Sequence, residues 1–498
     1  MVRVGASLAA AVAALWMASI SPAEGADTAS RNLAATRQVY AKLLSEAGKD
    51  EASLMMFATM MPKGGDIHHH FSGAIYAETF LEWAKQNGFC IFTETSVTLQ
   101  IEKFHVAMDP GALTSGQRAA CKDVDTVMGS EDVYRALLMT WSSKDYDHQS
   151  PGDQHFFDTF QYFGSIAAAN YAQGMQQLKA RAIAENVSYI ETMLEQSPAV
   201  ESADFTRAFE GVSDRLDDAK LEQLFAQGYD ALERTPKAGA AIDEFLAPIK
   251  GAAEGLDDER FTARFIVFAV RGQPPDVVFS HLYTAFRAAE QYEKLVGVNF
   301  VGPENGAVSM RDYTLHMKMF AFFKRKHPRV GLALHAGELA LGMVPPEGLR
   351  FHINEAVRIA GASRIGHGAD IPHEAGATDL LAHMRRNKIA VEINLTSNKD
   401  ILGISGASHP LHLYRKFGVP YVISTDDAGV SRNTLSSEYL LYITGFRPSY
   451  DELKATVFRS ITHSFLTEAE KEAQLRNLKA RFIAFEKEIA ASAGHLAK

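Results

Sequence analysis

Met61-Pro62-Lys63-Gly64-Gly65-Asp66-Ile67-His68-His69-His70 reads as a turn that feeds a short strand ending in three histidines. Successive side chains of a strand leave opposite faces, so His68 and His70 share one face and His69 takes the other. If that strand belongs to a closed parallel sheet, the shared face is the barrel interior and the strand end is its mouth. Three more short apolar runs end in residues of the same chemical kind: His335-Ala336-Gly337-Glu338, Gly366-His367-Gly368 and Thr425-Asp426-Asp427.

Outward from this first strand, runs at 187–194, 264–270, 297–301, 331–335, 363–366, 388–394 and 420–425 have strand character. Helix-period stretches at 167–184, 221–233, 275–294, 310–326 and 348–360 separate them. Strands and helices alternating along one chain predict a parallel sheet of the α/β class, and eight strands fit a (β/α)8 TIM barrel. The segment 88–154 breaks the rhythm with both cysteines, Pro110 and a polar run at 142–153. It is expected to be an insertion after strand 1 that caps the barrel mouth. Residues 452–490 read as helix with a solvated charged face. Ahead of the barrel domain (61–498), residues 27–60 carry helical apolar spacing through Leu33, Val39, Tyr40, Leu43, Leu44, Leu54 and Met55. That extension should pack on the barrel or on a partner subunit.

Residues 1–26 have the make-up of a secretory signal peptide. Arg3 precedes an apolar, Ala-rich run at 5–20, and Ser21-Pro22-Ala23 and Ala23-Glu24-Gly25 offer small residues for cleavage. The run is short for a membrane span of about 20 residues. A secreted or periplasmic protein, free of the membrane after cleavage, is therefore expected. Cys90 and Cys121 are the only cysteines, and in an oxidising compartment they are candidates for a disulfide. Two cysteines exclude a cysteine-ligated metal centre and the deaminase design built on Pro-Cys-x-x-Cys. A formal net charge of −10, with no basic stretch interleaved with aromatics, argues against a nucleic-acid partner. A small neutral or cationic substrate fits better.

Three imidazoles and one carboxylate at strand ends suit Zn²⁺ with a position left open for water. Bound zinc brings the pKa of its water towards 7, and hydrolysis then needs a group to orient that water and another to protonate what leaves. His367 is the candidate for the first task and Glu338 for the second. Asp427, beside Asp426, would be left free for substrate. Gly302 permits close backbone approach to a ligand.

In this order, Met61-Pro62-Lys63-Gly64-Gly65, His68-x-His70, His335-Ala336-Gly337-Glu338, Arg364-Ile365-Gly366-His367-Gly368 and Ser424-Thr425-Asp426-Asp427 resemble the adenosine deaminase family of metal-dependent hydrolase barrels. Within that family the chain looks like the secreted, growth-factor-related branch. The resemblance runs over about 61–464 and implies one Zn²⁺ per chain on His68, His70, His335 and Asp426. It implies that Glu338 protonates purine N1 and that His367 orients or deprotonates the attacking water. Asp427 would bind N7 and the Gly302 amide N3. The implied reaction turns adenosine or 2′-deoxyadenosine into inosine or 2′-deoxyinosine and ammonia. Two-metal relatives bridge their ions with a lysine on strand 4, and 297–301 holds none.

The sequence departs from the family's pattern in two places. Relatives carry an aspartate near the first motif that contacts the ribose; here the run is His70-Phe71-Ser72-Gly73, which leaves Ser72 as the substitute. Ala428 stands where a proline usually follows the second aspartate. Trp141 and Phe157 are candidates for the sugar pocket. Two other functions fit the same motifs less fully: an aminohydrolase for adenine or a modified adenine nucleoside, and a non-catalytic extracellular binding protein. The secreted relatives also imply a homodimer through the N-terminal helices.

Overall fold

The computed structural model describes residues 22–95, 102–146 and 151–496. Eight parallel strands form its centre: β1 (Gly64–His70), β2 (Val187–Gln196), β3 (Thr262–Val270), β4 (Leu295–Val301), β5 (Gly331–Ala336), β6 (Arg364–His367), β7 (Ala390–Ile393) and β8 (Tyr421–Ile423). They pair in sequence order, each with its neighbour in parallel register. The ring closes where β8 meets β1: the His70 N–H donates to the Asp426 carbonyl at 3.1 Å, and the Asp426 N–H to the His68 carbonyl at 3.0 Å. All eight expected strands form the expected barrel. Helices cover the outside, so strand residues are buried on both faces, as a parallel sheet requires. One such cover packs Phe279, Phe286, Phe320 and Phe323 between helices Pro275–Gln291 and Tyr313–Lys326.

The helical stretch expected at 452–490 is two helices, Tyr450–Thr462 and Glu468–Leu496. The break has a task that a continuous helix could not perform. Phe465, in the connecting turn, lies under the Arg364 guanidinium at 3.9 Å from its ring centroid. Its N–H donates to Glu191 Oε1 at 2.5 Å. Arg364 in turn bridges Glu191 (2.6 Å) and Glu392 (2.5 Å). This buried ionic cluster closes the end of the barrel away from the mouth.

The N-terminal extension consists of helix Pro22–Ser45, which lies on the chain's own C-terminal helix, and helix Glu51–Met60, which lies on helix Leu435–Phe446. The Thr36 hydroxyl donates to the Glu486 carbonyl at 3.2 Å. The ring of Phe57 sits 5.4 Å from Tyr40 and 5.2 Å from Phe485. The apolar face read from the sequence is thereby covered within one chain. Most of the signal segment, residues 1–21, lies outside the described residues. Among the described residues no helix is long and apolar enough to cross a membrane.

The insertion folds as a small lobe. Strands Cys90–Thr95 and Glu102–Ala107 pair antiparallel, Lys122–Asp123 adds a third strand, and a disulfide joins Cys90 to Cys121. The lobe sits on the mouth side, where the Ser143 N–H donates to the carbonyl of Val430 in the loop after β8 at 2.7 Å. The lobe leans on helix Gly152–Ala168, with the Trp141 indole N–H donating to the Phe104 carbonyl at 2.7 Å and its rings meeting Phe163. The helix, not the lobe, supplies the wall of the mouth. Among the described residues, none between 88 and 155 lines the cavity there.

Candidate metal centre and substrate cavity

Four ends of β-strands bring imidazoles and carboxylates together. His68 Nε2 and His70 Nε2 lie 3.3 and 3.2 Å from Asp426 Oδ1, and His70 Nε2 lies 3.3 Å from His335 Nε2. Ligand atoms about 2.0–2.2 Å from a tetrahedral zinc would be spaced by about 3.3–3.6 Å, so the observed spacing suits one ion. His367 Nε2 stands slightly apart, 3.5 Å from Glu338 Oε1 and 3.7 Å from Asp426 Oδ2. By distance alone, two overlapping groups can hold a cation: His68, His335, His367 and Asp426, or His70, Asp426 and Asp427.

Hydrogen-bond direction separates these histidines. His68 Nδ1 meets Glu392 Oε2 at 2.5 Å and His335 Nδ1 meets Asn299 Oδ1 at 2.9 Å. Both partners are acceptors, so each Nδ1 carries a proton and each Nε2 is turned inward. Carboxylate- and carbonyl-oriented imidazoles of this kind are the usual metal ligands. His367 is wired the other way. The Leu411 backbone N–H donates to His409 Nδ1 at 3.1 Å, which places the His409 proton on Nε2. His409 Nε2 then donates to Asn398 Oδ1 at 3.0 Å, and Asn398 Nδ2 donates to His367 Nδ1 at 3.0 Å. Burial holds His409 down to about 4 and His367 down to about 3, so both are neutral. His367 therefore points an Nε2–H donor, not a lone pair, into the site. Its Nε2 and that of His68 are buried with no hydrogen-bond partner among the described residues, as atoms awaiting a ligand would be.

Backbone strain marks the same residues. Asp426 (φ 62°) and His367 (φ 66°) are non-glycine residues in the left-handed region, at a cost of about 1–3 kcal/mol each. Thr425 anchors the turn before Asp426 through its hydroxyl to Asp66 Oδ2 at 2.6 Å. Gly73 lets the first motif pass directly beneath Asp427, because a Cβ there would lie 1.6 Å from Asp427 Oδ1.

The three acids at the floor differ in charge. Burial, reinforced by Asp426 and Glu304, pushes Glu338 well above the usual carboxylate range. Burial and the adjacent Asp426 do the same to Asp427. Burial also opposes the charge on Asp426, but the His68 imidazole outweighs it and holds that carboxyl low. Asp426 is thus the carboxyl whose charge the surroundings favour, and Glu338 and Asp427 are the two whose charge they oppose. Glu304 fixes the turn that carries Glu338: it accepts the Gly337 and Glu338 N–H groups at 2.9 Å each and meets His352 Nδ1 at 2.5 Å. Burial works against its charge, yet Arg271 and His352 hold it at about 2.

These groups open onto a cavity of about 560 Å³, within the usual range for a small-molecule site. His70, His335, Glu338, His367, Asp426, Asp427, Ser72 and Gly302 all line it, and His68 lies buried behind them. Gly302 (φ 102°) turns its backbone in a way that other residues rarely adopt. Phe157 lines the wall. Trp141 does not; its ring is buried in the lobe, where its N–H is already satisfied by Phe104. Asn299, Glu304, Glu392 and Asn398 were not among the residues expected to matter. Asn299 and Glu392 did leave a signal, since a polar residue between apolar neighbours on a buried strand must have a partner.

Comparison with known proteins agrees with this geometry. The family model described as adenosine deaminase matches residues 229–480. A probable adenosine deaminase of Dictyostelium discoideum is 27% identical over 323 residues, which cover 64% of this chain and 35% of that protein. The chain thus spans about a third of that relative's length. An adenosine deaminase of Vibrio cholerae is 28% identical over 273 residues, covering 54% and 74%. An adenine deaminase of Rhizobium rhizogenes is 29% identical over 273 residues, covering 53% and 78%. Among solved structures, the Arabidopsis N6-mAMP deaminase superposes with a TM-score of 0.52 at 17% identity, covering 85% of this chain and 99% of that one. An amidohydrolase from Burkholderia ambifaria with bound Zn gives 0.51 at 17% identity, covering 88% and 95%. At such identity the structural likeness is one of fold.

Proposed function

The chain belongs to the adenosine deaminase family, and from that premise we propose that it hydrolyses the C6 amino group of adenosine and 2′-deoxyadenosine, releasing ammonia and leaving inosine or 2′-deoxyinosine. One observation carries the reading: His68, His70, His335 and Asp426 converge beside Glu338, whose charge burial opposes, on the floor of one cavity. Those four residues would hold a single Zn²⁺. Zinc held there supplies the Lewis acidity that makes water a nucleophile near neutral pH.

The chain's own groups do the rest. Glu338 delivers its proton to purine N1, which makes C6 electrophilic; one proton of the attacking water passes to the amine, which leaves as ammonia, and the other returns to Glu338 as the C6 carbonyl forms. His367 orients the attacking water through its Nε2–H. Protonated Asp427 donates to N7, and the Gly302 amide donates to N3. Burial of all these groups excludes bulk water from the floor. Action in an oxidising compartment outside the cytoplasm is supported by the Cys90–Cys121 disulfide.

The test is formation of the 6-oxo product from adenosine, 2′-deoxyadenosine, adenine and N6-methyladenosine, with release of ammonia from the first three and of methylamine from the last, run with metal analysis on one zinc-reconstituted sample. Glu338→Gln should lower kcat by about 10²–10⁴-fold with its zinc content unchanged. Release from adenine and not from the nucleosides would move the substrate to the free base. A zinc-loaded protein inactive on all four compounds would refute the reading.

A further inference from the structure

The cavity extends beyond what a purine base needs, and its outer part has a chemistry of its own. Four consecutive residues at the end of β2, Met193, Leu194, Glu195 and Gln196, line it. A regular strand presents only alternate residues to one side. The exception has a visible cause. Met193 pairs with Ile266 of β3 but Glu195 pairs with Val267, so β2 carries one extra residue there. Such bulges re-aim side chains beside active sites. Glu195 gains most from this, because its Oε2 is buried with no hydrogen-bond partner among the described residues. Phe156, Phe157, Phe160 and Phe268 make the surrounding wall apolar.

Resting on the deaminase reading above, we propose that Glu195 is a specificity-determining residue that accepts a hydrogen bond from a sugar hydroxyl of the nucleoside and excludes a 5′-phosphate. An orphan carboxyl oxygen in an apolar wall requires a donor from the ligand, and the hydroxyls are the donors that a nucleoside carries outside its base. Among the described residues lining the cavity there is no lysine or arginine, which phosphate recognition would need. Burial also pushes the Glu195 carboxyl up to about 7, with the Tyr171 hydroxyl offsetting only part of that. A wall that barely supports one carboxylate cannot support a phosphate dianion beside it. Glu195 would thereby serve where Ser72 alone replaces the aspartate of relatives.

The experiment compares kcat/KM for adenosine, its 2′-, 3′- and 5′-deoxy analogues and AMP across the wild type, Glu195→Ala and Glu195→Gln. The wild type should prefer adenosine to AMP and should lose about 10- to 100-fold on one of the three deoxy analogues. Glu195→Ala should lose a similar factor on adenosine and nothing further on that one analogue, while Glu195→Gln keeps most of the activity and narrows the preference over AMP. An equal loss on all four nucleosides, no loss on adenosine, or a wild type that prefers AMP would overturn the proposal. If the wild type turns over none of the compounds, the deaminase reading fails. Calorimetric binding of adenosine and its deoxy analogues to the same three proteins then decides the role of Glu195 separately: a hydroxyl-selective loss in Glu195→Ala supports it, and a uniform affinity overturns it.

Discussion

Asn398 donates its Nδ2–H to His367 Nδ1 across 3.0 Å, and this one bond fixes which nitrogen of His367 faces the cavity as a donor. Asn398→Asp keeps the shape of the side chain and replaces the donor by an acceptor. The proton of neutral His367 should then move to Nδ1, leaving a lone pair where an N–H had pointed. We expect kcat to fall by about 10²-fold, the cost of a misoriented reactant, with KM and zinc content little changed. Steady-state kinetics with metal analysis checks this. An unchanged kcat would show that His367 works through its other tautomer.

His68 has a different dependence, on Glu392. Its Nδ1 lies 2.5 Å from Glu392 Oε2, while Oε1 of the same carboxylate takes Arg364 at 2.5 Å. A carboxylate behind a ligating imidazole raises its basicity and fixes its orientation, so Glu392→Gln should weaken zinc binding by about 10- to 100-fold. Competition against a chelating dye measures this directly. The variant with zinc in excess should recover most of its activity, which separates lost affinity from lost chemistry. Unaltered zinc affinity would mean that Glu392 serves only the Arg364 cluster.

The Cys90–Cys121 disulfide spans 31 residues, and a loop of that length is stabilised by about 3–4 kcal/mol in the chain-entropy account. No described residue of the lobe lines the cavity. The paired substitution Cys90→Ser and Cys121→Ser should therefore loosen the lobe and spare the chemistry. Limited proteolysis within 88–146 should accelerate, while kcat/KM at room temperature stays within about two-fold, because sub-global opening need not involve the barrel. A large loss of kcat/KM with intact zinc would show that the lobe shapes the cavity through helix Gly152–Ala168.

These residues also show how far the sequence could be read. His68, His70, His335 and Asp426 were legible because strand periodicity assigns a face and barrel topology assigns a common end to every strand. The eight strands followed from the same pattern. Glu195 was not legible, since the bulge that turns it inward depends on register with β3, which a single strand does not encode. Nor was the Leu411–His409–Asn398–His367 chain, whose direction follows from how helix Leu395–Leu402 meets the turn before helix Leu411–Phe417. Phe465 broke the expected helix at 452–490 because a gap at the barrel floor had to be filled, and helical periodicity carries no record of that gap. Pattern within one element was readable, and contact between elements was not.

Lys63, in the turn before β1, provides the pH dependence. It is buried, and its Nζ donates to the carbonyls of Thr59 (3.2 Å), Met61 (3.0 Å) and Glu185 (2.7 Å). Burial, with a smaller contribution from Arg481, lowers it from 10.5 to about 7 against the pull of Glu185. Above about pH 7 the folded protein therefore gives up one of these three N–H donors and holds a neutral amine, while the unfolded chain still binds the proton. With more protons on the unfolded side, stability rises with pH between the two values, by about 1.4 kcal/mol per unit, and is lost as pH falls through 7. Lys63→Met has no such proton. Urea unfolding of both proteins between about pH 7 and pH 9 should show the wild type gaining on the variant by that slope. A constant difference would mean that three carbonyls keep the ammonium charged in spite of its burial.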